Sequence, residues 1–299
     1  MSNMVLVAVD PQYKSSSALA WAIQWCRVTE QELLVVSTFH PEQAEVDPQF
    51  HDEIVASVHQ SLEERVDRSE ADTRGSPESP SSTGAAGSTA RGVVPHHSQI
   101  QEGDPSDVII DTARSRDVSL VVIGARGSGG FEHLGLGGVA HHVAHHLQRP
   151  LVVVPDEGGP MVGGTIVVGV DGSPESRPAL QWAVDAALRT DSLLHAVFAY
   201  DPMADSYPHG GVSNWQYQDE EAMREEIHSV YGSDVRLRIT RVGNHPVEAL
   251  TEIGSDDDAS MIVVGTRGHG GFHGLVLGRV PIQLLHHAGR PVVVIHHKK

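Results

Sequence analysis

The chain has 299 residues, long enough for two domains of about 150 residues that each bury an ordinary core. Lys and Arg number 21 against 39 Asp and Glu, a formal net charge of −18, and no basic cluster is present to neutralise a phosphate backbone, which argues against direct nucleic-acid binding. The apolar runs, such as LVVV at 151–154 and TIVVGV at 165–170, are strand-sized and fall well short of the roughly 20 residues of a membrane span. The opening MSNMVLVAVD lacks the basic start, apolar core and cleavage site of a signal peptide, so a soluble cytoplasmic protein is expected. Cys26 is the single cysteine and excludes an intrachain disulfide; it reads as a buried helix residue. Twenty histidines make the overall charge sensitive to pH between about 5 and 7.

In chain order, the first half predicts a strand at 4–9, a helix at 15–29, a strand at 32–39, a helix at 50–67 and a strand at 94–101. A helix at 105–116, a strand at 119–123, a glycine-rich loop, a helix at 137–147 and a strand at 150–154 complete it. Asp104 is placed to cap the third helix, and Pro105 suits its first turn. Strands alternating with helices imply parallel pairing with right-handed crossovers, hence an α/β fold. The segment 69–92, rich in Ser, Gly, Pro and Ala, holds too few large apolar side chains to offset its ordering entropy and is expected to be a flexible surface insertion.

The second half repeats the first. MVLVAVD at 4–10 matches TIVVGVD at 165–171, and QRPLVVVP at 148–155 matches GRPVVVIH at 289–296. GDPSDVII at 103–110 has its counterpart in GNHPVEAL, and the connection equivalent to the insertion shrinks to about YGSD at 231–234. The expected organisation is therefore one domain over 1–155, a linker at 156–164, DEGGPMVGG, and a second domain over 165–299. The acidic SDDDAS at 255–260 falls in a helix-to-strand turn and reads as a solvated stop.

The most informative segments are GARGSGGFEHLGLGG at 124–138 and GTRGHGGFHGLVLGR at 265–279. Each follows a strand and leads into a helix, the place where ligands gather in an open parallel sheet. Gly124, Gly127, Gly129 and Gly130 in the first loop remove side chains from a tight turn, so that backbone N–H groups can converge on a phosphate with the positive end of the helix beginning near Gly137 behind them; Gly265, Gly268, Gly270 and Gly278 are the candidates in the second loop. Asp10 and Asp171 end the first strands, where a carboxylate could accept a hydrogen bond from a ribose hydroxyl; a helix-capping role is the plainer alternative. Arg126 and Arg267 recur in both loops as phosphate contacts or as solvated side chains. No Gly-x-x-x-x-Gly-Lys-Ser/Thr loop is present, and Glu132 and His273 stand where a dinucleotide fingerprint needs its third glycine.

These residues resemble the universal stress protein family in its tandem two-domain form, over nearly the whole chain except 69–92. The most specific marks are VGVDGSPES at 168–176 and the two glycine segments. The resemblance implies two tandem five-stranded parallel sheets flanked by helices on both faces, of the adenine nucleotide alpha hydrolase-like type with strand order 3-2-1-4-5. It also implies ATP as a ligand, with Mg2+ entering only with ATP, through a motif of Gly-x-x-Gly, nine residues, Gly, then Ser or Thr. The glycines match at Gly124, Gly127 and Gly137 and at Gly265, Gly268 and Gly278, but Gly138 and Arg279 occupy the hydroxyl position. Arg279 either pairs with phosphate or fills the site. Pro11 also interrupts the Asp-Gly-Ser pattern that the second half keeps, so the second half is the expected nucleotide site. The leading function is a stress-response binding or sensor module for an adenine nucleotide, without catalysis. A nucleotide-free interaction protein and a slow ATPase stay open as alternatives.

HHVAHH at 141–146 places His141 with His145 and His142 with His146 one helical turn apart, a spacing able to bind a divalent metal. His145 and His146 align with His286 and His287, whereas His141 and His142 align with Ile282 and Gln283, and the segment is read as helix surface with no metal assigned. The resemblance further implies that the final strands, 150–154 and 291–295, pair antiparallel and join the halves, with a homodimer of the whole chain as a further expectation.

Overall fold

Val5, Leu6 and Val7 have no solvent exposure, which is the mark of a central parallel strand covered on both faces. This strand, β1 (Met4–Ala8), lies between β2 (Glu32–Phe39) and β4 (Val118–Gly124), parallel to both. The computed structural model describes residues 3–10, 17–39, 48–75, 94–127, 135–157, 162–199, 220–268 and 277–296. The first half also holds α1 (Ser17–Thr29), α2 (Pro48–Gly75), β3 (His96–Glu102), α3 (Pro105–Ser115), α4 (Gly138–His146) and β5 (Leu151–Val154). The second half repeats the order with β6 (Thr165–Val170), α5 (Arg177–Thr190), β7 (Leu193–Ala199), α6 (Glu220–Tyr231) and β8 (Leu237–Val242), then α7 (Pro246–Gly254), β9 (Ala259–Gly265), α8 (Arg279–His287) and β10 (Val292–Ile295).

Strand order is β3-β2-β1-β4-β5 in the first half and its counterpart in the second, and the halves form one ten-stranded sheet. The join is antiparallel: Val292 faces Val153, Val293 faces Val152, and Val294 faces Leu151. Neither terminal strand of a half is therefore left as an unpaired apolar edge. The repeat extends to irregularities, because β1 and β6 both shift register after their first residue against β4 and β9. Glu30 and Asp191 both take positive φ, 55° and 50°, as α1 and α5 end.

Alternating side chains send one set to each face of the sheet. Val5, Val7, Val152, Val154, Val293 and Ile295 pack in a core with residues of α1, α2, α5 and α6, while Leu6, Leu151, Val153, Val292 and Val294 pack in another with residues of α3, α4, α7 and α8. Each core crosses the seam between halves. On the first face Trp21, Trp25 and Trp182 stack in series, with ring centroids 5.3 and 5.6 Å apart, and Arg189 Nη2 donates to Thr29 O at 2.8 Å. Asp104 caps α3 as its position suggests, accepting from Ser106 N at 2.8 Å and Asp107 N at 3.4 Å.

The reading of 69–92 as a flexible insertion is corrected at its start. Residues 69–75 continue α2, where Ser69 and Glu70 are buried and Glu70 Oε1 accepts from Val94 N at 3.0 Å. Residues 76–92 lie outside the described residues. At the far end of the linker, Gly164 has φ of 79°, and a Cβ there would meet the Asp258 carbonyl, so no larger residue fits this entry into β6. No helix among the described residues is long and apolar enough to cross a membrane.

Candidate functional site

The order of strands reverses between β1 and β4, and again between β6 and β9, so crevices open beyond the carboxyl ends of these pairs. In the second half β6 delivers Asp171 to this crevice. Its Oδ1 accepts from Ser173 N at 3.0 Å and Ser173 Oγ at 2.6 Å, an Asx turn that fixes the carboxylate. Ser176 N donates to Ser173 Oγ at 3.2 Å, carrying the turn into α5. From the other side, β9 ends at Gly265 and the chain brings Gly268 against the second carboxylate oxygen of Asp171. A Cβ on Gly268 would collide with that oxygen, so the glycine is required by close approach. Gly278 N donates to Thr266 O at 2.8 Å, closing the base of the loop before α8 begins at Arg279.

A cavity of about 410 Å³ lies among these residues, within the range of small-molecule sites. Val197, Leu250, Val264 and Val280 give it apolar walls; Asp171, Arg267 and Arg279 give it charge. Arg267 is half-buried and Arg279 exposed. The backbone N–H groups at the start of α8 carry no side-chain cap, and Pro281 takes one donor away from that first turn. The arrangement suits a ligand with a flat apolar part and an anionic part.

The first half places Asp10, Gly124, Arg126, Gly127 and Gly137 in equivalent positions, and Gly137 N donates to Ala125 O at 2.7 Å as Gly278 does to Thr266. Its chamber is different. Arg126 Nε pairs with Asp156 Oδ2 at 2.7 Å, Ser17 Oγ donates to Asp156 O at 3.1 Å, and Arg65 Nη1 donates to Asp10 O at 2.8 Å. Burial lowers the pKa of Arg65 from its ordinary value, against the opposing pull of the Asp10 charge. The cavity among its described residues is about 30 Å³, far below the range of small-molecule sites. Gly129, Gly130 and Gly270 lie outside the described residues.

A sequence model described as the universal stress protein family matches residues 1–155 and 164–296. The chain belongs to this family. One universal stress protein of Mycobacterium tuberculosis strain H37Rv is 32% identical over 190 residues, covering 60% of this chain and 59% of the relative. The match thus spans about three fifths of that relative's length. Another from the same strain is 30% identical over 202 residues, 66% of this chain and 67% of the relative. Among solved structures, a universal stress protein from Archaeoglobus fulgidus DSM 4304 superposes with a TM-score of 0.67 at 18% identity, covering 100% of both chains. A protein from Pseudomonas aeruginosa UCBPP-PA14 superposes with 0.65 at 19% identity, covering 98% of this chain and 93% of that one. These two show the fold.

Several residues of the tandem universal stress crevices escape a reading based on glycine spacing. His245, Pro246 and Leu250 reach the second cavity from the start of α7, whose sequence GNHPVEAL signals only a helix start. Arg65 and Asp156 close the first chamber from elements far away in sequence, and no local signal pairs them with the glycine loop.

Proposed function

We propose that the second half of this tandem universal stress protein binds an adenine nucleotide, and that the protein acts as a stress-response binding or sensor module without turning over its ligand. The observation that carries the proposal is the asymmetry of the two crevices: about 410 Å³ in the second half against about 30 Å³ in the first. Val197, Leu250, Val264 and Val280 would take the base, Asp171 the ribose, and Arg267, Arg279 and the N–H groups at the glycine loop the phosphates, with Gly265, Gly268 and Gly278 allowing the close approach. Mg2+ enters only as the counter-ion of ATP. In the first half the pair Arg126–Asp156 occupies the phosphate end, so Asp10, Gly124, Gly127 and Gly137 act there in the turn alone.

The domain division at 1–155 and 165–299, cytoplasmic residence and a homodimer of the whole chain belong to the same proposal. A nucleotide-free interaction protein is the second reading, favoured by Pro281 and Arg279 at the start of α8, where one removes a donor and the other adds bulk. Calorimetric titration with ATP decides between them. The proposal expects saturable binding that Asp171→Ala weakens at least tenfold. Binding undiminished in Asp171→Ala contradicts the site, and no binding to the unaltered chain favours the second reading. Phosphate release above the buffer rate would show turnover.

A further inference from the structure

The exposed face of α4 carries His141, His142, His145 and His146, none of which takes part in the crevices described above. The rings pair along the helix: centroids are 4.3 Å apart for His141 and His145 and 4.2 Å apart for His142 and His146. His145 Nδ1 donates to His141 O at 2.8 Å, and His146 Nδ1 donates to His142 O at 2.9 Å. A carbonyl only accepts, so both bonds require the proton on Nδ1 and leave a lone pair on Nε2. That backbone-anchored tautomer is the state in which metal-ligating histidines are usually held.

We propose that α4 presents two side-by-side two-imidazole clamps, His141 with His145 and His142 with His146, each binding a divalent transition ion of the Cu2+, Ni2+ or Zn2+ class. Imidazole selects these ions, whereas Mg2+ and Ca2+ prefer oxygen donors. Ligands must be neutral to bind. Among the described residues no three ligating side chains converge, so each clamp supplies two ligands and water the rest, the pattern of an exchangeable ion rather than a closed structural site.

The second half supplies an internal control. At the places of His141 and His142, α8 has Ile282, which packs against the core, and Gln283, so His286 and His287 lack partners one turn earlier. The clamps are thus a property of the first half. They sit near the seam, because the chain at Gly135, just ahead of α4, lies against the His286 backbone of α8.

The test is competition between the full chain and a chromogenic Zn2+ chelator, repeated with Cu2+ and with Mg2+ as the oxygen-preferring control. The expected result is that His141→Ala combined with His142→Ala loses about two exchangeable Zn2+ per chain relative to the unaltered chain, with helix content unchanged by circular dichroism and Mg2+ held in neither. Equal Zn2+ stoichiometry in the two proteins, or Mg2+ binding as strong as Zn2+, overturns the proposal. If the double variant does not fold, Gln283→His decides. It places a ring one turn before His287 and should add about one Zn2+ per chain; no gain overturns the proposal.

Discussion

Gly268→Ala isolates the contact on which the second crevice is built. The added Cβ collides with the carboxylate of Asp171, which is not free to swing away because Ser173 N and Ser173 Oγ hold its other oxygen at 3.0 and 2.6 Å. Relief requires breaking at least one of these charge-assisted bonds, a loss of about 1.5–3 kcal/mol. If the loss falls on the ligand-competent arrangement, nucleotide affinity drops roughly tenfold to a hundredfold. The first half supplies the comparison: a Cβ on Gly127 stands 3.2 Å from Asp10 Oδ2, a contact that yields to a shift of a few tenths of an ångström. Gly127→Ala is therefore expected to leave both stability and affinity nearly unchanged, affinity within about twofold, because its contact is relieved cheaply and the proposed nucleotide site lies in the other half. Calorimetric titration with ATP, with thermal melts of both variants, reads the difference. Equal affinity in Gly268→Ala and the unaltered chain would refute the idea that the Asp171–Gly268 approach sets the crevice.

Three further outcomes follow from burial. Leu151→Ala, at the β5–β10 seam and without exposure, should lower unfolding free energy by about 2–5 kcal/mol in urea titration; a loss under about 0.5 kcal/mol would contradict a shared core across the seam. Burial pushes the Cys26 thiol up to about 12, so native protein at pH 8 should resist a thiol reagent that reacts fully in denaturant; fast native reaction contradicts this. Burial pushes His296 down to about 4, below its ordinary 6.5, so the unfolded chain takes up a proton that the folded chain refuses. Stability should then fall as pH drops from about 6.5 toward 4, by up to about 3 kcal/mol. His296→Gln should flatten that slope in melts across this range, and an unchanged slope would contradict the account. His96 acts oppositely: burial disfavours its charge, but hydrogen bonds to Glu63 and Val94 and the Glu63 and Glu70 charges outweigh it and raise its pKa. Its contribution is present in acid and fades as pH rises through the folded value.

The parts of the fold legible in sequence are those governed by local pattern. Continuous apolar runs such as Leu151–Val154 and Val292–Ile295 are what strands buried on both faces require, and both halves carry them in the same order. Asp104 and Pro105 marked α3 because capping acts within one turn. The end of α2 was hidden for the opposite reason. Averaged over 69–92 the composition is that of a solvated segment, yet Ser69 and Glu70 are buried and Glu70 satisfies Val94 N, a partner 24 residues away. The candidate site divides in the same manner. Glycine spacing placed both loops at the crevices, but the loops are alike in sequence and the chambers are not. Among the described residues the first chamber is closed by Asp156 and Arg65, brought against Arg126 and Asp10 by tertiary packing.

The central claim is one nucleotide site per chain, in the second half. It is tested most directly by denaturing full-length protein purified without added nucleotide, identifying released small molecules by mass spectrometry and quantifying them by absorbance. The same measurement on Asp10→Ala and Asp171→Ala locates the site. The account predicts about one adenine nucleotide per chain, kept in Asp10→Ala and lost in Asp171→Ala, because among the described residues the second crevice holds a cavity of about 410 Å³ and the first one of about 30 Å³. Release of two nucleotides per chain, or loss on Asp10→Ala instead, would contradict it. So would an empty protein that also fails to take up added ATP.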